Sequence, residues 1–142
     1  MLHTGGCLCG AIRYAIDAPL TELRACHCLD CQRASGAHGA VVAFVRSDDF
    51  KLVRGAPKRY ARKADSGRTL IRYFCGDCGS SLYSHREAMP EVIGVRAGTL
   101  DDSSQLRITG HIWTKSAPPW SYIDPAAKQV PGQPEGPPKP AA

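Results

Sequence analysis

Ile12, Tyr14 and Ile16 alternate with Arg13 and Ala15, which puts the larger apolar side chains on one side of an extended segment. This period of two is the signature of a half-buried strand. Similar runs occupy 41–45, 70–74 and 92–95, and each predicts a short strand. Turn residues separate them, at Gly55-Ala56-Pro57, Asp65-Ser66-Gly67, Gly76-Asp77 and Asp101-Asp102-Ser103. Helical periodicity is sparse. The best candidate is a turn or two at 31–35, where Cys-Gln-Arg-Ala-Ser precedes the stop signal Gly36. No internal repeat is visible, and the pattern predicts a mainly β chain.

Length and composition narrow this picture. A chain of 142 residues falls in the range of one domain and is long enough to bury a core. From Asp124 onward the sequence is rich in Pro, Gly, Ala and Gln, with little apolar beyond Val130 and the preceding Ile123. We therefore expect a folded domain over 1–123 and a flexible tail over 124–142, since PGQPEGPPKP cannot form a helix or sheet interior. No run approaches the ~20 apolar residues of a membrane span, and residues 1–10 lack a signal-peptide pattern. The expected location is the cytoplasm. There the reducing environment favours metal or thiol chemistry over disulfides.

The formal charge of +5 is uneven, because residues 46–72 hold nine Lys or Arg against Asp48, Asp49 and Asp65. Such a segment either attracts an acidic partner or is an ordinary solvated surface. The nearby aromatic residues Phe50, Tyr60 and Tyr73 read as strand core rather than a base-stacking platform, which disfavours nucleic acid as the partner.

The cysteines carry the chemistry. Seven of them fall into three clusters: Cys7 and Cys9; Cys26, Cys28 and Cys31; Cys75 and Cys78. Disulfides consume cysteines in pairs, whereas a closed zinc site takes four thiolates and a catalytic zinc takes three protein ligands with one position open. The two-residue clusters sum to a four-thiolate structural site. Each is followed by a glycine, Gly10 and Gly79, suited to the positive φ of a metal knuckle. Cys26, Cys28 and Cys31 lie within six residues, so one loop can wrap three sides of an ion and leave the fourth open to a thiol or carbonyl. A histidine closing this set would make it structural instead, and His3, His27, His38, His85 and His111 are the available side chains. His27, between two ligands, should point away from them in an extended segment. A redox role for Cys75 and Cys78 is the weaker alternative, because such motifs usually open a helix after a strand.

These clusters and their flanks resemble the glutathione-dependent formaldehyde-activating family, whose domain is shared with centromere protein V. The resemblance is carried by GGCLCGAIRY at 5–14, CHCLDCQRASG at 26–36, FCGDCGSSL at 74–82, AGTLDD at 97–102, and HIW and PPW within 111–120. It implies an Mss4-like β-tent of short antiparallel strands around zinc knuckles. Two zinc ions per chain are implied: a structural one on Cys7, Cys9, Cys75 and Cys78, and a catalytic one on Cys26, Cys28 and Cys31. The implied activity joins glutathione, or a similar thiol, to formaldehyde or another small aldehyde, giving S-(hydroxymethyl)glutathione in the named reaction of this carbon-sulfur lyase. A homodimer is compatible with the sequence, although no segment demands one. Leu29-Asp30 inside the three-cysteine loop and Ser103-Ser104 depart from the usual pattern. For the proton step, His27, His38 and Ser35 are the candidates, and Arg33 or a member of the 46–72 segment is placed to hold carboxylates. The competing expectation is a zinc-stabilised nucleic-acid or protein binding module without catalysis.

Overall fold

The longest strands pack one face in the core and turn the other to a cavity, so both faces carry apolar residues. In the computed structural model, which describes residues 2–140, the chain forms two sheets. The smaller has the order β1-β2-β5, from β1 (His3–Gly6), β2 (Arg13–Ile16) and β5 (Phe50–Arg54). The larger runs β11-β10-β3-β4-β9-β8-β7-β6. Its strands are β3 (Glu22–Cys26), β4 (Ala40–Arg46), β6 (Lys58–Lys63), β7 (Thr69–Phe74), β8 (Ser81–Arg86), β9 (Met89–Arg96), β10 (Arg107–Ile112) and β11 (Lys128–Val130). Pairing is antiparallel except that β10 runs parallel to both β3 and β11. The single α-helix among the described residues, α1 (Leu29–Ser35), follows β3. The runs expected at 12–16, 41–45, 70–74 and 92–95 lie in or overlap β2, β4, β7 and β9.

The period of two sorts the large sheet's side chains. Ala43 and Val45 of β4, Ile93 and Val95 of β9 and Leu82 of β8 pack with Tyr14 and Ile16 of the small sheet in one core. Alternate residues of β4 and β9, among them Val42, Phe44, Val92 and Gly94, face the other way and line a cavity with Leu70 of β7. That is why β4 reads as a nearly continuous apolar run. The closing segment at 97–102 locks the small sheet in place: Asp101 accepts from Thr4 and Arg13, and Tyr14 and Thr99 share a 2.8 Å hydroxyl hydrogen bond.

The basic segment is distributed rather than continuous. β6 is an exposed edge strand, KRYARK, and its lysines and arginines suit an edge that must not recruit another strand. Tyr60 lies exposed on it rather than in the core, because β6 has no layer over its outer face. Composition alone also misses a strand. The residues just before the proline-rich stretch form β11, with Gly110, His111 and Ile112 paired to Lys128, Gln129 and Val130. Pro131 ends it, having no amide to donate.

Candidate active site

The two cysteine pairs converge from opposite ends of the first half of the chain. Sγ of Cys7 lies 3.7 Å from that of Cys9, and Cys9 lies 3.8 Å from Cys75. All four sulfurs, Cys78 included, lie within 4.8 Å of one another. Four thiolates at a Zn–S distance of ~2.3 Å would stand roughly 3.8 Å apart in a tetrahedron, so this donor set fits zinc. The turns are built for it. Gly10 and Gly79 have φ of 81° and 79°. Backbone amides of Ile12 and Asp77 donate to the sulfurs of Cys7 and Cys75 at 3.2 and 3.4 Å. The Ser80 hydroxyl and amide hold the Cys78 thiol down to about 5, so it ionises readily.

Cys26 ends β3, and Cys28 and Cys31 bracket the start of α1. Their three sulfurs also lie within 4.8 Å of one another, and they could hold a metal ion. Cys28 is the N-cap of α1, its sulfur accepting from the Cys31 amide at 3.3 Å. Gly36 closes the helix in the left-handed region with its N–H on the Gln32 carbonyl. The neighbouring sulfurs of Cys26 and Cys31 push the Cys28 thiol down, and the Arg72 charge adds to this. Cys26 is pushed up in consequence. Gly39 packs so closely on the Cys26 carbonyl that a methyl group there would collide with it.

Among the described residues, no histidine closes the trio. His27 points away from the sulfurs, as its position between them predicts, but into the protein rather than to the surface. It is fully buried beside the equally buried His111, Nε2 to Nδ1 at 2.8 Å. The Asp124 amide donates to His111 Nε2 at 3.1 Å, so the His111 proton sits on Nδ1 and goes to His27 Nε2. His27 Nδ1 then donates to the His38 carbonyl at 3.3 Å. Burial lowers both imidazoles below their ordinary pKa, which keeps the chain of hydrogen bonds neutral. His111→Leu would leave the buried His27 Nε2 and the partly buried Asp124 amide without partners. A loss of about 1–3 kcal/mol is expected, read as a lowered denaturant midpoint.

The cysteine trio opens onto a cavity of about 210 Å³. Its wall combines the apolar residues Val42, Phe44, Leu70 and Val92 with four arginines, Arg68, Arg72, Arg86 and Arg96. Arg96 is only 9% exposed. Burial pushes its guanidinium down, the Cys31 sulfur opposes this, and the Arg72 charge pushes down again. α1 contributes Leu29 and Asp30, and Asp30 is held by Arg62 of β6 at 3.2 Å.

Of the candidates for the proton step, His27, His38 and Ser35 are all absent from the cavity wall. Ser35 instead bridges the helix end, donating to the Gln32 carbonyl and accepting from the Ala37 amide. Arg33 is an exposed helix residue away from the cavity. Arg68 and Arg72 of the basic segment do face it. Arg86, Arg96 and Ser84 join them without any signal in the sequence except their alternation with core residues.

Trp113 lines the cavity, whereas Trp120 is 68% exposed. Trp113 is the one non-glycine residue in the left-handed region among the described residues, with φ of 56°. A bulky side chain there is strained. The C-terminal segment holds it: the Trp113 amide donates to the Gly132 carbonyl at 3.2 Å and its indole N–H to Gln133 Oε1 at 3.0 Å. Gln133 and Pro138 complete the cavity wall.

A family profile described as glutathione-dependent formaldehyde-activating enzyme matches residues 2–116. A protein of Halomonas elongata, provisionally named as such an enzyme, is 28% identical over 129 residues, covering 87% of this chain and 82% of its own. One from Sordaria macrospora, with the same provisional name, is 31% identical over 78 residues, 55% of this chain and 32% of its own. A crystal structure of a Rhodobacter sphaeroides protein superimposes with a TM-score of 0.58 at 28% identity, over 71% of this chain and 90% of that one. None of the helices is long and apolar enough to cross a membrane, among the described residues.

Proposed function

Given that this chain belongs to the glutathione-dependent formaldehyde-activating enzyme family, we propose that it is a zinc-dependent carbon-sulfur lyase-type enzyme that adds a thiol, glutathione or a similar one, to formaldehyde or another small aldehyde. The observation that carries this reading is the three-cysteine loop opening onto a cavity lined with guanidinium groups. Zinc would be held twice, structurally by Cys7, Cys9, Cys75 and Cys78 and catalytically by Cys26, Cys28 and Cys31. On the three sulfurs it would supply a Lewis acid that keeps a bound thiol ionised near neutral pH and polarises a carbonyl.

The chain's own residues do the rest. The Cys28 cap and the buried His27–His111 pair hold the loop in one shape, so the open side of the trio always faces the cavity. Apolar side chains of β4, β7 and β9 exclude water from the reacting atoms, which strengthens every charge interaction there. In the reaction the thiolate sulfur forms a bond to the aldehyde carbon, the carbonyl electron pair moves to oxygen, and that oxygen takes one proton. Arg72 and Arg96, whose charges act on the sulfurs, stabilise the negative charge as it passes from sulfur to oxygen.

The test is product formation from a thiol panel with formaldehyde, followed by nuclear magnetic resonance of the hydroxymethyl carbon, with zinc-loaded protein. Protein that holds two zinc ions and does not exceed the uncatalysed rate with any thiol would sink the reading. The competing reading, a binding module for nucleic acid, draws on the basic β6 edge. Against it, Arg46 and Arg62 are paired with Asp49 and Asp30, and Arg68 and Arg72 face the cavity.

The division at residue 123 belongs to the same proposal, with the C-terminal segment closing the cavity. Ending the chain after Val130 keeps β11 but removes Gly132, Gln133 and Pro138. The melting temperature should then stay within a few degrees while KM for the thiol rises severalfold. An unchanged KM would show that the residues beyond Val130 have no part in the cavity.

A further inference from the structure

We propose that the four cavity arginines form a two-ended anion site, which takes an elongated dicarboxylate with an apolar middle. The inference rests on reading the cavity as the substrate site, and it narrows the class of thiol that the site selects.

Arg96 pairs with Val42, two residues from the Ala40 that pairs with Cys26, and Arg72 reaches the same wall through its pairing with Ser84 and that of Ser84 with Gly94, so both stand at the end beside the cysteine trio. Arg68 and Arg86 form the other end, where their charges act on each other. Arg68 and Arg72 are four residues apart on extended backbone, about 13 Å. Arg86 lies across from Leu70 in the β7–β8 pairing, and Ser84 across from Arg72. Between the ends the wall is Val42, Phe44, Leu70 and Val92. The site therefore has charge at both ends and hydrocarbon between them.

The charges are not balanced by the protein. Four ion pairs occur among the described residues, and none includes Arg68, Arg72, Arg86 or Arg96. The carboxylates on the wall are Asp30, already held by Arg62, and Asp65. A divalent ion on three thiolates carries one net negative charge. With Asp65 that makes two negative charges against four guanidiniums, leaving about two positive charges for a ligand. The orphaned donors point the same way: Arg68 Nη1 and Arg72 Nε are buried without a hydrogen-bond partner, one at each end. Buried guanidinium donors left unpaired are costly, and a carboxylate accepts two of them in parallel. An ammonium group on the ligand would meet a cationic wall, so among the thiols of the proposed reaction the site prefers a dicarboxylate without one over glutathione itself.

The test is calorimetric titration of the zinc-loaded full chain with suberate, which has a carboxylate at each end, and with octanoate, the monoanion of the same chain length. Suberate is expected to bind at least about tenfold tighter, the value of one added charge-assisted pair. Arg68→Met should erase that preference while leaving octanoate within about twofold, since the near-end pair and the hydrocarbon wall remain. Arg86→Met serves the same purpose should Arg68→Met fail to fold. Equal affinity for the two acids, no binding of either, or variants that keep the preference would each overturn the site. Neither acid has a thiol or an aldehyde, so the outcome is independent of catalysis. Suberate binding without turnover of any thiol would remove the proposed reaction and leave the anion site standing. Glutathione turnover unaffected by suberate, with no suberate bound, would do the reverse.

Discussion

Cys75→Ser is expected to abolish the native fold of the whole domain. Cys75 is 1% exposed, belongs to the core beside Leu82, and joins a sulfur from the first turn of the chain to one in the middle. A structural zinc contributes folding free energy on the order of 10 kcal/mol, against a total stability of roughly 5–15 kcal/mol for an ordinary domain. Serine is a poor zinc ligand, and its hydroxyl would be buried among apolar neighbours. We expect zinc content to fall from two ions per chain to at most one, with loss of the far-ultraviolet strand signal and a chain that binds hydrophobic dye. Chelation of the wild-type protein should give the same result. A cooperatively folded Cys75→Ser protein with an unchanged melting temperature would show that the four sulfurs are not a structural metal site.

Cys28→Ser has the second largest expected effect, and it falls on chemistry instead of folding. Cys28 lies at the surface end of α1, half-buried, and serine is itself a good N-cap, so the Cys31 amide keeps a partner. The domain should melt within a few degrees of wild type. Its zinc content should fall from two to one, because two thiolates do not retain an ion that three hold. Thiol-dependent aldehyde turnover should drop to the uncatalysed rate. Cobalt substitution gives an independent reading: the wild type should show thiolate-to-cobalt absorption from two sites, the variant from one. An active Cys28→Ser protein would refute the catalytic role of the trio. The contrast between the two variants, one losing the fold and the other only the reaction, separates the two clusters more sharply than either result alone.

Much of the cysteine grouping was legible in the sequence because its turns are local. Cys7 and Cys9, Cys26 to Cys31, and Cys75 and Cys78 each lie within one turn, and the residues that shape those turns are their neighbours: Gly10, Gly36 and Gly79 in the left-handed region, and Ser80 beside Cys78. Strand periodicity was equally local. It located β2, β4, β7 and β9 and the side of His27, which follows from a simple alternation with its flanking cysteines.

The cavity was not legible, for a physical reason. Arg72 on β7, Arg86 on β8 and Arg96 on β9 come to one wall only through the pairing of Arg72 with Ser84, Leu70 with Arg86, and Ser84 with Gly94. Strand register is set by turns and by the packing of the opposite face, here Ile71, Leu82 and Val95, and no short stretch of sequence contains it. The same holds for His111, whose partner is 84 residues away, and for Arg62 on Asp30. The C-terminal segment shows the limit most plainly. Its composition predicts a tail, yet β11 pairs with β10, Asp124 caps His111 and Gln133 holds the strained Trp113. Low apolar content means that a segment cannot build a core of its own; it does not stop backbone groups from pairing with an edge that another part of the chain supplies. The sequence by itself therefore determined the cysteine clusters that could hold a metal and the strands, whose causes lie within a few residues. Tertiary structure alone decided which charges face the open sulfurs and what covers them, because those contacts exist only once distant strands are in register.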